Sequence, residues 1–157
     1  MTDSFQFVAL PYERFGALFS RSDEELRAMD ARRMVVDDKP GYPCRVSLAD
    51  AEVGETAILL PFIHHDVSTP YRGSGPIYVR SGASTTKPGA GEIPAMFEQR
   101  LLSVRQYDES AMLVDAELVQ GNDLDNAIRR MLGNEDVSYL HIHNAALGCY
   151  LCRIVRA

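Results

Sequence analysis

The sequence predicts an α+β fold: one domain over residues 1–157, mainly antiparallel sheet, with two or three helices. Three observations carry this expectation. Most of the chain divides into short apolar or alternating runs bounded by Gly, Pro, Asn and Asp clusters, the pattern of strands and turns. Helical periodicity is confined to an N-terminal stretch and one segment of the last third. That last third reads ββαββ, an order that closes an antiparallel sheet with a helix against it.

The elements follow in order. Phe5 to Leu10 alternates as a first strand and stops at Pro11. Tyr12 to Phe19 groups Phe15, Leu18 and Phe19 on one side, as a short helix does. Ser22 precedes Glu25 by three, the capping-box spacing, and opens a helix over 23–31. Arg33 to Asp37 reads as a strand, and 38–43 as a turn set by two prolines. Cys44 to Leu48 reads as a strand with Cys44, Val46 and Leu48 facing the core.

Thr56 to His64 is apolar on both faces and predicts an interior strand, with Pro61 implying a bulge or local edge. Residues 66–76 read as a loop, Ile77 to Arg80 as a short strand, and Ser81 to Glu92 as a mobile loop. Arg100 to Tyr107 and Met112 to Val119 predict a strand pair. A helix from Gly121 to Leu132 follows, burying Leu124, Ile128, Met131 and Leu132, with Gly133 as its stop. Val137 to His143 and Cys149 to Val155 close the sheet.

Composition bounds the function. The 157 residues carry 16 Lys+Arg against 22 Asp+Glu, a net charge of −6, which argues against general nucleic-acid binding. The N-terminal arginines are interleaved with acids and form no basic footprint. No apolar run approaches the roughly 18–20 residues of a membrane span, and Met1 to Ser4 does not open a signal peptide. The three cysteines do not make a secreted disulfide framework, so the expected compartment is the cytoplasm.

Three clusters carry chemistry. The first is His141-x-His143 with Cys149-x-x-Cys152, four residue types that suit zinc. On a strand, however, Cys149 and Cys152 point to opposite faces, and Tyr150-Leu151 makes no knuckle. No metal site and no cofactor are therefore expected. With residues 144–148 as the loop, His143 pairs with Cys149, Ile142 with Tyr150 and Leu140 with Cys152. One face is then Leu140, Ile142, Tyr150, Cys152 and Ile154. The other is Tyr139, His141, His143, Cys149 and Arg153. Cys152 becomes a core thiol, and Cys149 beside His143 a candidate reactive thiol, unless this is simply a polar sheet face.

The second cluster runs from His64-His65 through Arg72-Gly73-Ser74-Gly75. It follows the strongest strand, where sites commonly sit. Arg72 with Ser74 suggests an anion site, and Arg45 and Arg80 are further candidates; the plain alternative is a tight turn needing glycine. His64 or His65 would transfer protons; adjacent histidines face opposite ways, so one of them can look into a cleft. The third is Lys39 to Arg45, where Cys44 is expected in the core.

Four segments together resemble the bacterial family known as domain of unknown function 1203: Lys39 to Leu48, Asp50 to Glu55, Pro70 to Arg80 and His141 to Cys149. The resemblance runs nearly end to end. It implies a single-domain bacterial protein of the cytoplasm and supplies no activity, substrate or catalytic residues.

Two readings result. One is a small-molecule protein, with an anionic ligand held by arginine, proton transfer from His64 or His65, and the 81–92 loop as a lid. The other is a non-catalytic interaction module using the Tyr139/His141/His143 face or a sheet edge. Neither requires nucleic acid or a membrane, and either accommodates a homo-oligomer.

Overall fold

The computed structural model describes residues 4–157 and places eight strands in two antiparallel sheets. The strands are β1 Phe5–Val8, β2 Arg32–Val35, β3 Thr56–His65, β4 Gly73–Arg80, β5 Leu101–Tyr107, β6 Leu113–Gln120, β7 Tyr139–Asn144 and β8 Tyr150–Arg156. The larger sheet has the order β1-β8-β7-β5-β6 and the smaller β2-β3-β4. The expected mainly antiparallel architecture holds, split between two sheets.

Helix α1, Asp23–Ala28, has the capping box that Ser22 and Glu25 predict: each side chain accepts from the other's backbone N–H at 3.1 Å. Helix α2, Leu124–Leu132, buries Leu124, Ile128, Met131 and Leu132 as its periodicity requires. These residues form the main core with Leu102 and Val104 of β5, Leu140 and Ile142 of β7, and Leu151, Cys152 and Ile154 of β8. That core covers one face of the larger sheet. Residues of β3 and β4 and the segments around Phe15 and Cys44 build a second apolar cluster that Tyr150 joins.

Several local expectations are corrected. Tyr12 to Phe19 is two 3-10 turns, Tyr12–Arg14 and Gly16–Ser20, because glycine separates the aromatic positions. Cys44 to Leu48 is a turn. Its Leu48 N–H donates back to the Cys44 carbonyl, and Leu48 sits at φ +52°. Cys44, Arg45 and Val46 are all buried, so period-2 alternation does not apply. Residues 73–76 belong to β4, where Pro76 pairs with Pro61 past the end of β2; this is the local edge that Pro61 implied. The 81–92 segment has no regular structure and is tied down: Thr86 N–H donates to Val46, Gly91 N–H to Phe5, and the Gln6 side chain to the Pro88 carbonyl.

Candidate functional site

The second face of the larger sheet meets the smaller sheet through histidine and tyrosine. Along β7, Leu140 and Ile142 enter the main core, so period 2 sends Tyr139, His141 and His143 the other way. This face is covered: Tyr139 is 8%, His141 2% and His143 1% exposed, which removes it as a free docking surface. What covers it is the end of β3.

Two irregular steps assemble the cluster. In the β3–β4 ladder Ile63 pairs with Ser74 and His65 with Gly73, so His64 is an extra residue. A bulge of this kind breaks strict alternation. It overturns the expectation that one of His64 and His65 looks away: the ring centroids of His64 and His65 lie 6.4 and 4.9 Å from that of His141. In the β7–β8 ladder Ile142 pairs with Cys152 and His143 with Tyr150, leaving Leu151 as the extra residue. This corrects the predicted register, in which Ile142 met Tyr150 and His143 met Cys149. The bulge puts Leu151 into the core and turns Tyr150 onto the histidine face, where its ring stacks on His64 at 5.3 Å and 4°. Gly73 leaves room for His64, since a Cβ there would stand 2.9 Å from the imidazole Cε1.

The outcome is a cluster of three histidines. One ligating atom each from His64, His141 and His143 lie within 4.8 Å of one another. His143 Nδ1 is 2.9 Å from the Gly148 carbonyl, which only accepts, so Nδ1 carries the proton and Nε2 presents its lone pair. The Arg105 guanidinium, a donor only, agrees, standing 3.4 Å from that Nε2. His64 and His141 each bury an Nδ1 with no hydrogen-bond partner.

Burial holds all three rings neutral. It pushes His64 and His143 down to about 4, with the Arg105 charge adding to the effect at both. It pushes His141 down to about 2, helped by the neighbouring histidines. Neutral imidazole is the ligating form. His65 is committed elsewhere: Nδ1–H donates to the Tyr71 carbonyl at 2.8 Å, and Nε2 accepts from the Tyr139 hydroxyl at 2.7 Å.

The other predicted residues lie apart from this cluster. Arg72 pairs with Asp66 at 2.7 Å on the surface, both side chains more than half exposed, and Ser74 is an exposed strand residue; the expected anion loop is a strand end. Arg80 reaches Ser47 and Glu55. Arg45 is 1% exposed and donates to the Tyr150 and Pro43 carbonyls. Cys149 lies near it, and the Cys149 Sγ accepts from Asn144 Nδ2 at 3.0 Å. Cys149 thus pairs with asparagine in place of His143, beside a 170 Å³ pocket that Arg45, Arg100 and Leu147 also line. Cys44 and Cys152 are core thiols as expected, and burial raises Cys152 to about 12.

Sequence reasoning found His141 and His143 on one face and missed His64 as their partner. The one available signal was Gly73 opposite an extended His-His end.

The family model described as a protein of unknown function, DUF1203, matches residues 41–156, well over half the chain. The chain belongs to the DUF1203 family. All three clustered histidines, Arg105 and Cys149 fall inside the DUF1203 match. No curated protein matches the chain, and no solved structure does.

Proposed function

We propose that this DUF1203 protein binds one divalent transition-metal ion through His64, His141 and His143. The observation that carries this reading is the convergence of three neutral imidazoles within 4.8 Å, two of them with a buried, unpartnered nitrogen. Burying a polar atom unpaired costs about 1–3 kcal/mol, and an ion supplies the missing partner. Imidazole ligands suit Zn²⁺, Cu²⁺, Co²⁺ or Ni²⁺. A tetrahedral ion about 2.0–2.1 Å from each nitrogen holds those nitrogens roughly 3.4 Å apart, within reach of small ring rotations from the observed spread.

The supporting groups fit as well. The Gly148 carbonyl orients His143, as carbonyls commonly orient ligating histidines. Tyr150 fixes the His64 ring from one side and Gly73 admits it from the other. His64 is only half-buried, which gives an ion a way in. Three protein ligands leave a coordination position for water or a further ligand, the arrangement of a reactive rather than a purely structural site.

Calorimetric titration of chelator-treated protein with Zn²⁺ or Co²⁺ tests this. One ion per chain is expected. His64→Ala, His141→Ala and His143→Ala should each weaken binding by more than the roughly 10–100-fold that loss of a supporting group costs. Cys149→Ser and Cys152→Ser should leave it unchanged. Substoichiometric binding, or binding indifferent to the histidines, overturns the reading.

A further inference from the structure

We propose that the metal site takes an oxyanion, a carboxylate or phosphate group, with Arg105 as its second anchor. This rests on the metal reading above. Charge is the starting point. Three neutral imidazoles leave a divalent ion its full charge, and the clustered ligand set contains no Asp, Glu or Cys. Arg105 adds a positive charge beside it. No ion pair among the described residues involves Arg105. Its other hydrogen-bond partner is a neutral hydroxyl, Ser103 Oγ at 3.5 Å. Arg153, whose guanidinium lies 4.4 Å over the Tyr139 ring, deepens the positive potential.

The hydrogen bonding gives the charge a direction. Arg105 Nη1–H donates to His143 Nε2 at 3.4 Å. That lone pair is the one an ion takes, because Nδ1–H is committed to Gly148. An ion about 2.0–2.1 Å from that nitrogen takes the acceptor Arg105 uses and displaces the guanidinium, whose N–H groups then need a new acceptor close to the ion. An anion bridging ion and guanidinium satisfies both groups at once. A neutral ligand satisfies the ion alone and leaves the excess charge in a partly desolvated site. The planar guanidinium matches carboxylate and phosphate oxygens, and such charge-assisted contacts are the strong ones.

The test uses the whole chain loaded with Co²⁺, whose visible spectrum reports its ligands. Inorganic phosphate and acetate are titrated in, with acetamide as the neutral control. The expected result is a saturable spectral change with at least one anion and none with acetamide. Arg105→Met should keep Co²⁺ stoichiometry and weaken the anion by about 10–100-fold. Arg105→Lys, which keeps the charge without the planar fork, should fall between and serves as the folded control. A loaded protein whose spectrum ignores both anions, or an Arg105→Met variant that binds them as the parent does, overturns the inference while the metal reading stands. Failure to bind Co²⁺ at one per chain overturns both.

Discussion

The two faces of β7 are equally dry and chemically opposite. Leu140 and Ile142 are 0% exposed on one side; His141 and His143 are 2% and 1% exposed on the other. Depth therefore does not separate a core from a site. Satisfaction of polar atoms does. Against α2, burial and packing stabilise the fold at every contact. Against β3, two imidazole nitrogens are buried without partners. The first face is explained by folding alone. The second needs something that folding does not supply.

Truncating the apolar face should have the largest effect. Ile142 touches the main core from the middle of the central strand. Ile142→Ala should cost about 2–5 kcal/mol in urea unfolding, through lost transfer energy and the cavity left behind. The cost should be similar with and without metal, because the side chain points away from the histidines. A loss below about 1 kcal/mol would mean that this face is not closely packed.

The histidine face should respond with the opposite sign. His141→Leu removes a buried nitrogen that lacks a partner, so the metal-free protein should be unchanged or more stable by up to about 1–3 kcal/mol. The pH profile sharpens the contrast. The folded pKa values, about 4 for His64 and His143 and about 2 for His141, lie below the ordinary value of 6.5. Below 6.5 the unfolded chain takes up protons that the folded chain refuses. The stability contribution is thus full above about pH 6.5 and is lost as pH falls toward 4, with His141 continuing the loss toward 2. His141→Leu should flatten that loss. A metal-free parent whose stability stays level from pH 7 to 4 would contradict the burial of these rings.

The apolar face was legible in the sequence and the histidine face only half so. The α2 pattern and the core side of β7 follow from periods of 3.6 and 2, which are local. The grouping of Tyr139, His141 and His143 follows from period 2 as well. Their partner does not, because His64 comes from another sheet far away in the chain. The two bulges were also hidden. Strand alternation assumes one residue per step, and neither His64 nor Leu151 is a residue type that announces an insertion. The same assumption paired Cys149 with His143 and placed Tyr150 in the wrong face. Arg72-Gly73-Ser74-Gly75 misled differently. Its glycine suggested a turn, whereas Gly73 is an extended position kept bare for an imidazole.

The smallest expected effect separates the two adjacent histidines of β3. His64 has an unpartnered nitrogen and His65 has none, since Tyr71 and Tyr139 occupy both of its positions. Tyr139→Phe keeps the stacking with Tyr107 but deletes the hydroxyl that donates to His65 Nε2. Its cost to folding should lie at the low end of about 1–3 kcal/mol, because His65 Nε2 is left buried without its donor. Metal affinity should change by less than the roughly tenfold at which supporting groups begin to matter, because the lost bond serves a ring outside the ligand set. Urea unfolding of the metal-free variant reads the first quantity and Zn²⁺ titration the second. If Tyr139→Phe weakens the metal as strongly as His64→Ala does, His65 belongs to the site and the bulge has delivered both of its histidines to the ion. If affinity holds, the bulge has divided them, one to the fold and one to the metal.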